Sequence, residues 1–190
     1  MAFMLDAGWS GNLIFIVLTM ISSLIIPAGW IIAWTLYPNQ DRVGFLVRTS
    51  CIILLATSVV WWKLLTQTSN DTIGFTLSLW SFALLMLCFR KSETPSEKYA
   101  IFSICIISGI LAGMAFIVKM TFFVAVLACF CIFVFLNGNV KERMKYATAF
   151  GLTAAITCIL AGGEWAFLTF RECGSPIYPF GVDFFKNIGN

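Results

Sequence analysis

Apolar runs close to the length of a bilayer crossing, separated only by short polar patches, leave this chain few folds to adopt. A spanning helix needs about 20 mostly apolar residues with few charges. Six stretches approach that length: 13–36, 49–65, 72–89, 100–118, 120–136 and 147–170. The expected fold class is therefore all-α. We expect one polytopic transmembrane bundle of about six spans over residues 1–190, with 171–190 as an outer interfacial tail. The second and fifth spans are short and call for a thin local bilayer or burial against neighbours. Pro27 and Gly29 are expected to kink the first.

Composition excludes the soluble alternative. Hydrophobic residues make up 60% of the 190 and charged residues 11%, and the mean hydropathy is +0.93, whereas soluble domains carry roughly 25% charge. Nineteen Phe and seven Trp could fill a soluble core, but the polar residues gather in patches and form no shell. The net charge of +3 is not laid out as a basic stripe with aromatic platforms, so nucleic acid is not an expected partner. The absence of His removes imidazole catalysis and His-held metal or haem. Six cysteines (Cys51, Cys88, Cys105, Cys129, Cys131 and Cys158) sit within apolar runs, and only Cys173 is in a polar stretch. No disulfide, metal or cofactor framework is expected from them. Met1–Asn12 lacks the basic start and cleavage pattern of a signal peptide, so the first helix should be retained.

Loop charge orients the bundle. Arg42 and Arg48 fall in the first connection, Arg90, Lys91 and Lys98 in the third, and Lys141, Arg143 and Lys145 in the fifth. The opposite side carries only Lys63, Lys119, Arg171 and Lys186. The richer side is expected to be cytoplasmic, which puts both termini outside. An outer N-terminus without a signal peptide suggests a missing earlier helix. The aromatic, polar ending Phe180–Asn190 stops abruptly, so the chain reads as part of a larger protein.

Four charged residues then fall toward the outer face. Asp71 follows Asn70 at the start of the third span, where a carboxylate caps a helix, or serves as an acid, base or metal ligand facing a polar cavity. Lys119 interrupts the run from Tyr99 to Val140, which is otherwise uncharged. It either snorkels to water from a tight outer turn or holds a lipid phosphate. Gly109 and Gly113 before it form a small-xxx-small face suited to close helix packing. Glu164 lies six residues inside the last expected span, where a carboxylate needs a partner or a cavity. Arg171 follows seven residues on, two turns along the same face, so the two could line one groove. Gly174 and Pro176 should stop that helix.

Two segments carry a resemblance. Gly109-Ile-Leu-Ala-Gly113-Met-Ala-Phe-Ile-Val-Lys119-Met-Thr121 and Trp165-Ala-Phe-Leu-Thr-Phe-Arg171-Glu-Cys-Gly174-Ser-Pro176-Ile-Tyr178-Pro179-Phe180 look like segments of bacterial GT-C fold membrane glycosyltransferases. The second is the stronger, with a helix ending in Trp and Arg before a Gly-x-Pro-x-Tyr-Pro turn. Asn70-Asp71-Thr72 is similar to a further recurring element. The resemblance covers residue 50 onward and implies an integral protein of the bacterial inner membrane. It also implies transfer of a sugar from a polyprenyl-phosphate carrier to an acceptor at the outer face. In that chemistry a carboxylate (Asp71 or Glu164) handles the acceptor hydroxyl, while Lys119 and Arg171 offset the lipid phosphate. The family's large outer loop with its principal acidic residue is missing, and Asp6 cannot be equated with that residue. The chain resembles the family's central portion and would be an enzyme only if that loop were supplied. The competing reading is a non-catalytic subunit packed with other membrane subunits. A transporter is disfavoured by the scarcity of buried charge and the lack of an inverted repeat.

Overall fold

The computed structural model describes residues 16–17, 19–21, 23–38, 41–57, 70–88, 95–135 and 139–175. All regular structure among them is helical. The helices are α1 (Ile25–Leu36), α2 (Arg42–Thr57), α3 (Asn70–Leu87), α4 (Pro95–Val118), α5 (Phe123–Phe135) and α6 (Val140–Cys173), with a 3-10 turn at Met120–Phe122 before α5. Three apolar segments are long enough to cross a membrane: Thr19–Leu36, Glu97–Val118 and Val140–Cys173. Through these the protein contacts a lipid bilayer. Thr72–Leu87 and Met120–Val134 are shorter apolar helices, and the expected span 49–65 leaves the described residues after 57.

Polar caps, and not the edges of apolar windows, set where α2 and α6 begin. The Asp41 carboxylate accepts the Gly44 N–H at 2.7 Å, so α2 starts at Arg42, ahead of the expected 49. Arg48 therefore sits within α2 and not in a connection. It is 7% exposed, and its Nη1 donates to the Tyr37 carbonyl at 3.0 Å, beside the negative end of α1. Asn139 caps α6 by accepting the Glu142 N–H at 2.9 Å, so Lys141–Lys145 are helical and the helix starts before the expected 147. Its 34 residues extend about 51 Å, well beyond a hydrocarbon core of roughly 30 Å.

The first segment breaks upstream of the expected kink. Leu24 forms a turn, while Pro27 lies in the first turn of α1, where its missing N–H is tolerated. The Ala28 N–H reaches the Leu24 carbonyl only at 3.4 Å, and the Trp80 indole of α3 donates to that same oxygen at 2.9 Å. A side chain from a neighbouring helix thus satisfies the loosened backbone.

α3 is central, packing on α1, α4, α5 and the 3-10 turn. Its contact with α4 is antiparallel and centres on two fully buried serines. The Ser81 and Ser108 hydroxyls lie 2.8 Å apart, each also donates to the other residue's carbonyl (3.0 and 2.8 Å), and Cys129 of α5 sits 3.6 Å from Ser81 Oγ. Every polar atom of this node has a partner, which makes it a fastening between helices in lipid. Ser81→Ala is expected to lower stability by about 1 kcal/mol in a detergent unfolding titration, the upper part of the range for one interhelical hydrogen-bond partner in a membrane. An unchanged midpoint would mean that α3 and α4 do not meet there.

α4 and α6 run parallel. Lys98 pairs with Glu142 at 2.7 Å, and Lys145 lies over the Phe102 ring at 5.2 Å. Further along, Gly109 faces Phe150 and Thr153, Gly113 faces Ala154 and Thr157, and Ile117 faces Gly162. Partners advance together from one end to the other, so the two helices share a direction and a continuous seam.

Candidate functional site

The seam sets the level of each charged residue. Carrying the Ile117–Gly162 register two residues further brings Lys119 level with Glu164. α4 ends at Val118, and the Lys119 N–H makes its last helical bond, to Ala115 at 3.2 Å. The backbone of Lys119 is extended, and its carbonyl accepts the Phe122 N–H at 3.0 Å to close the 3-10 turn. Lys119 is thus held at a sharp reversal between two apolar helices, and it is exposed.

The same turn brings in α3. A Cβ on Gly74 would run into the Phe122 ring, so the first turns of α3 lie against the reversal that carries Lys119. Asp71 stands three residues before Gly74, about one turn. Its backbone belongs to α3, but its side chain is outside the described residues. Thr72 beside it is 2% exposed, and its carbonyl accepts the Thr76 hydroxyl at 2.8 Å.

Glu164 and Arg171 both lie on α6 and both are exposed. The uncharged stretch of α6 runs from Tyr146 to Gly163, 18 residues or about 27 Å, which nearly fills a hydrocarbon core. Glu164 is therefore the first charge beyond that stretch, still within the apolar segment Val140–Cys173. Arg171 is about 10 Å further along the axis, past the level at which α4 ends. The helix stops where expected: Gly174 adopts the left-handed conformation (φ 73°) and its N–H caps the Phe170 carbonyl at 2.9 Å. Pro176–Phe180 of the second resembling segment lie outside the described residues.

Asp71, Lys119 and Glu164 thus gather at one end of the bundle, Arg171 stands beyond them, and Lys98, Lys141, Arg143 and Lys145 occupy the opposite end. The expected two-turn spacing of Glu164 and Arg171 on one helix is present. Three features lie beyond the sequence expectations: the Ser81–Ser108 node, Arg143 donating to the Val134 carbonyl at 2.8 Å, and an apolar groove between α4, α5 and α6. A serine recurring inside an otherwise apolar run is the available signal for the first. Among the described residues no three of Cys, Asp and Glu come together as metal ligands. Charges at this end can bind an anionic headgroup and orient a hydroxyl, with water at hand on one side and hydrocarbon on the other.

No protein-family model matches the chain, and neither a curated protein nor a solved structure does.

Proposed function

We propose that this chain serves the transfer of a sugar from a polyprenyl-phosphate carrier to an acceptor, at the outer face of a bacterial inner membrane. It does so as a bundle of about six spans with both termini outside. The observation that carries this reading is the gathering of Asp71, Lys119 and Glu164 at the end opposite the basic residues. A carboxylate, Asp71 or Glu164, accepts the proton of the acceptor hydroxyl. Lys119 offsets the charge of the lipid phosphate as the sugar leaves it. Arg171, some 10 Å out, meets phosphate only on a headgroup that stands clear of the hydrocarbon.

The test is binding of polyprenyl phosphate to the purified chain in phosphatidylcholine vesicles. Lys119→Ala and Arg171→Ala should each weaken it, Lys119→Ala by about tenfold, as expected for one charge-assisted contact. Unchanged binding in both variants would remove the phosphate role.

The alternative, a non-catalytic subunit of a larger membrane complex, draws on the projecting end of α6. There Trp165, Phe167 and Phe170 are 53%, 65% and 45% exposed beyond the level where α4 stops. On that reading, alanine at these positions abolishes co-purification of a membrane partner while the Lys119 and Arg171 variants change nothing.

A further inference from the structure

All seven cysteine thiols are free, and two of them meet between α3 and α4. Cys88 and Cys105 lie within hydrogen-bonding reach of each other. They are 4% and 0% exposed and belong to the buried cluster that also holds Leu85, Met86 and Tyr146. Helix register explains the meeting. Ser81 and Ser108 fasten α3 and α4 as an antiparallel pair. Cys88 follows Ser81 by seven residues and Cys105 precedes Ser108 by three, so both stay on the facing sides and lie toward the same end of the bundle. Along the axis they stand about 10 Å and 5 Å from the serine node. Each Cα–Cβ bond tilts toward its own helix's N-terminus. In an antiparallel pair that tilt carries Cys88 back toward the node and Cys105 away from it, so the two sulfurs lean together across the offset. Other buried thiols are placed differently: Cys129 sits beside the Ser81 hydroxyl, and Cys158 faces the Gly113 carbonyl.

We propose that Cys88 and Cys105 form a reversible modification site, oxidised by a hydroperoxide to a disulfide that locks the end of α3 onto α4. The thiolate of one cysteine attacks a peroxide oxygen: an S–O bond forms, the O–O bond breaks, and the leaving oxygen takes up the thiol's proton. The second sulfur then attacks the sulfenic acid, forming the S–S bond and breaking the S–O bond, and water leaves with the second proton. Two thiols and one hydrogen peroxide thus give one disulfide and two waters. The product is uncharged, which suits the apolar surroundings, whereas a metal held by the same two thiolates would bury charge. The site is also within reach of a small neutral oxidant. Cys105 lies seven residues from Lys98, about 10 Å along α4, and the Lys98 side chain is half exposed. The proposal is independent of the sugar-transfer reading, because the thiols stand at the end of the bundle away from Asp71, Lys119 and Glu164.

The experiment treats the full chain in phosphatidylcholine vesicles with hydrogen peroxide, denatures it, and counts free thiols with a maleimide that retards the protein on a gel. Two of the seven thiols should become protected and return with dithiothreitol. Mass spectrometry of the digested wild type should find the Cys88 and Cys105 peptides joined. Cys88→Ala and Cys105→Ala should each abolish the protected pair, while Cys129→Ala and Cys158→Ala should keep it. Oxidised wild type should also unfold at a higher denaturing-detergent concentration than reduced wild type, a shift that Cys105→Ala should lack. Seven free thiols after peroxide, a crosslink mapped to other cysteines, or a loss that dithiothreitol does not reverse overturns the proposal. Since the crosslink is mapped in the wild-type chain, the test decides even where a variant fails to fold.

Discussion

Gly109→Val is expected to separate α4 from α6 and to cost about 3 kcal/mol or more, the upper end for overpacking a closed contact. At Gly109 even a single Cβ would meet the Phe150 carbonyl oxygen and the Thr153 hydroxyl, and at Gly113 it would lie 2.6 Å from the Ala154 carbonyl oxygen. Backbone cannot swing aside as a side-chain tip can, so the helices must move apart along the seam. Their other seam contacts then weaken together, including the Cys158 thiol on the Gly113 carbonyl at 3.6 Å. Position decides the outcome more than residue type does. A Cβ on Gly162 would have the Ile117 side chain as its nearest neighbour, at 3.2 Å, and one on Gly163 would have no neighbour within 4 Å. Gly163→Ala should therefore stay within about 0.5 kcal/mol of the parent. Unfolding in mixed detergent micelles reads the series, and a Gly109→Val protein as stable as Gly163→Ala would refute the seam.

The second large effect is expected from Phe150→Ala. Phe150 is fully buried and is the largest of the completely enclosed side chains among the described residues. Its ring stands edge-on to Phe130 at 5.0 Å and tilted to Phe133 at 5.6 Å, so one side chain ties α6 to α5 while its carbonyl lies on the α4 seam. Truncation of a buried Phe costs about 3–5 kcal/mol in water-soluble cores. In lipid the transfer part is small, because hydrocarbon is as apolar as the protein interior. What remains is the two ring contacts, about 0.5–1.5 kcal/mol each, and the dispersion lost around the void. We expect a loss of about 3 kcal/mol in the same titration, with Phe150→Leu recovering about half. A loss of under about 0.5 kcal/mol would mean that the void collapses freely.

Much of the architecture is legible in the sequence, though not its boundaries. Helices are expected wherever apolar runs occur, and described residues in all six runs are helical. The ends of α2 and α6 differ because these helices begin where a side chain satisfies their first N–H groups, as Asp41 and Asn139 do. An apolar window cannot register that. The small-xxx-small spacing of Gly109 and Gly113 predicts a close helix contact correctly, but cannot name α6 as the partner or make the pair parallel.

By itself the sequence determined that the chain lives against lipid, that its regular structure is helical, and that its charges cluster at helix ends, because hydrocarbon penalises charge and unsatisfied backbone alike. Only the tertiary structure decided which faces meet. In a soluble helix the buried face is marked by being the apolar one. Here the lipid-facing side of α6, with Leu152, Ile159 and Leu160 exposed, is as apolar as the side that carries Phe150 and Ala154. Steric fit at glycine and alanine selected between them, and fit exists only once two helices are brought together.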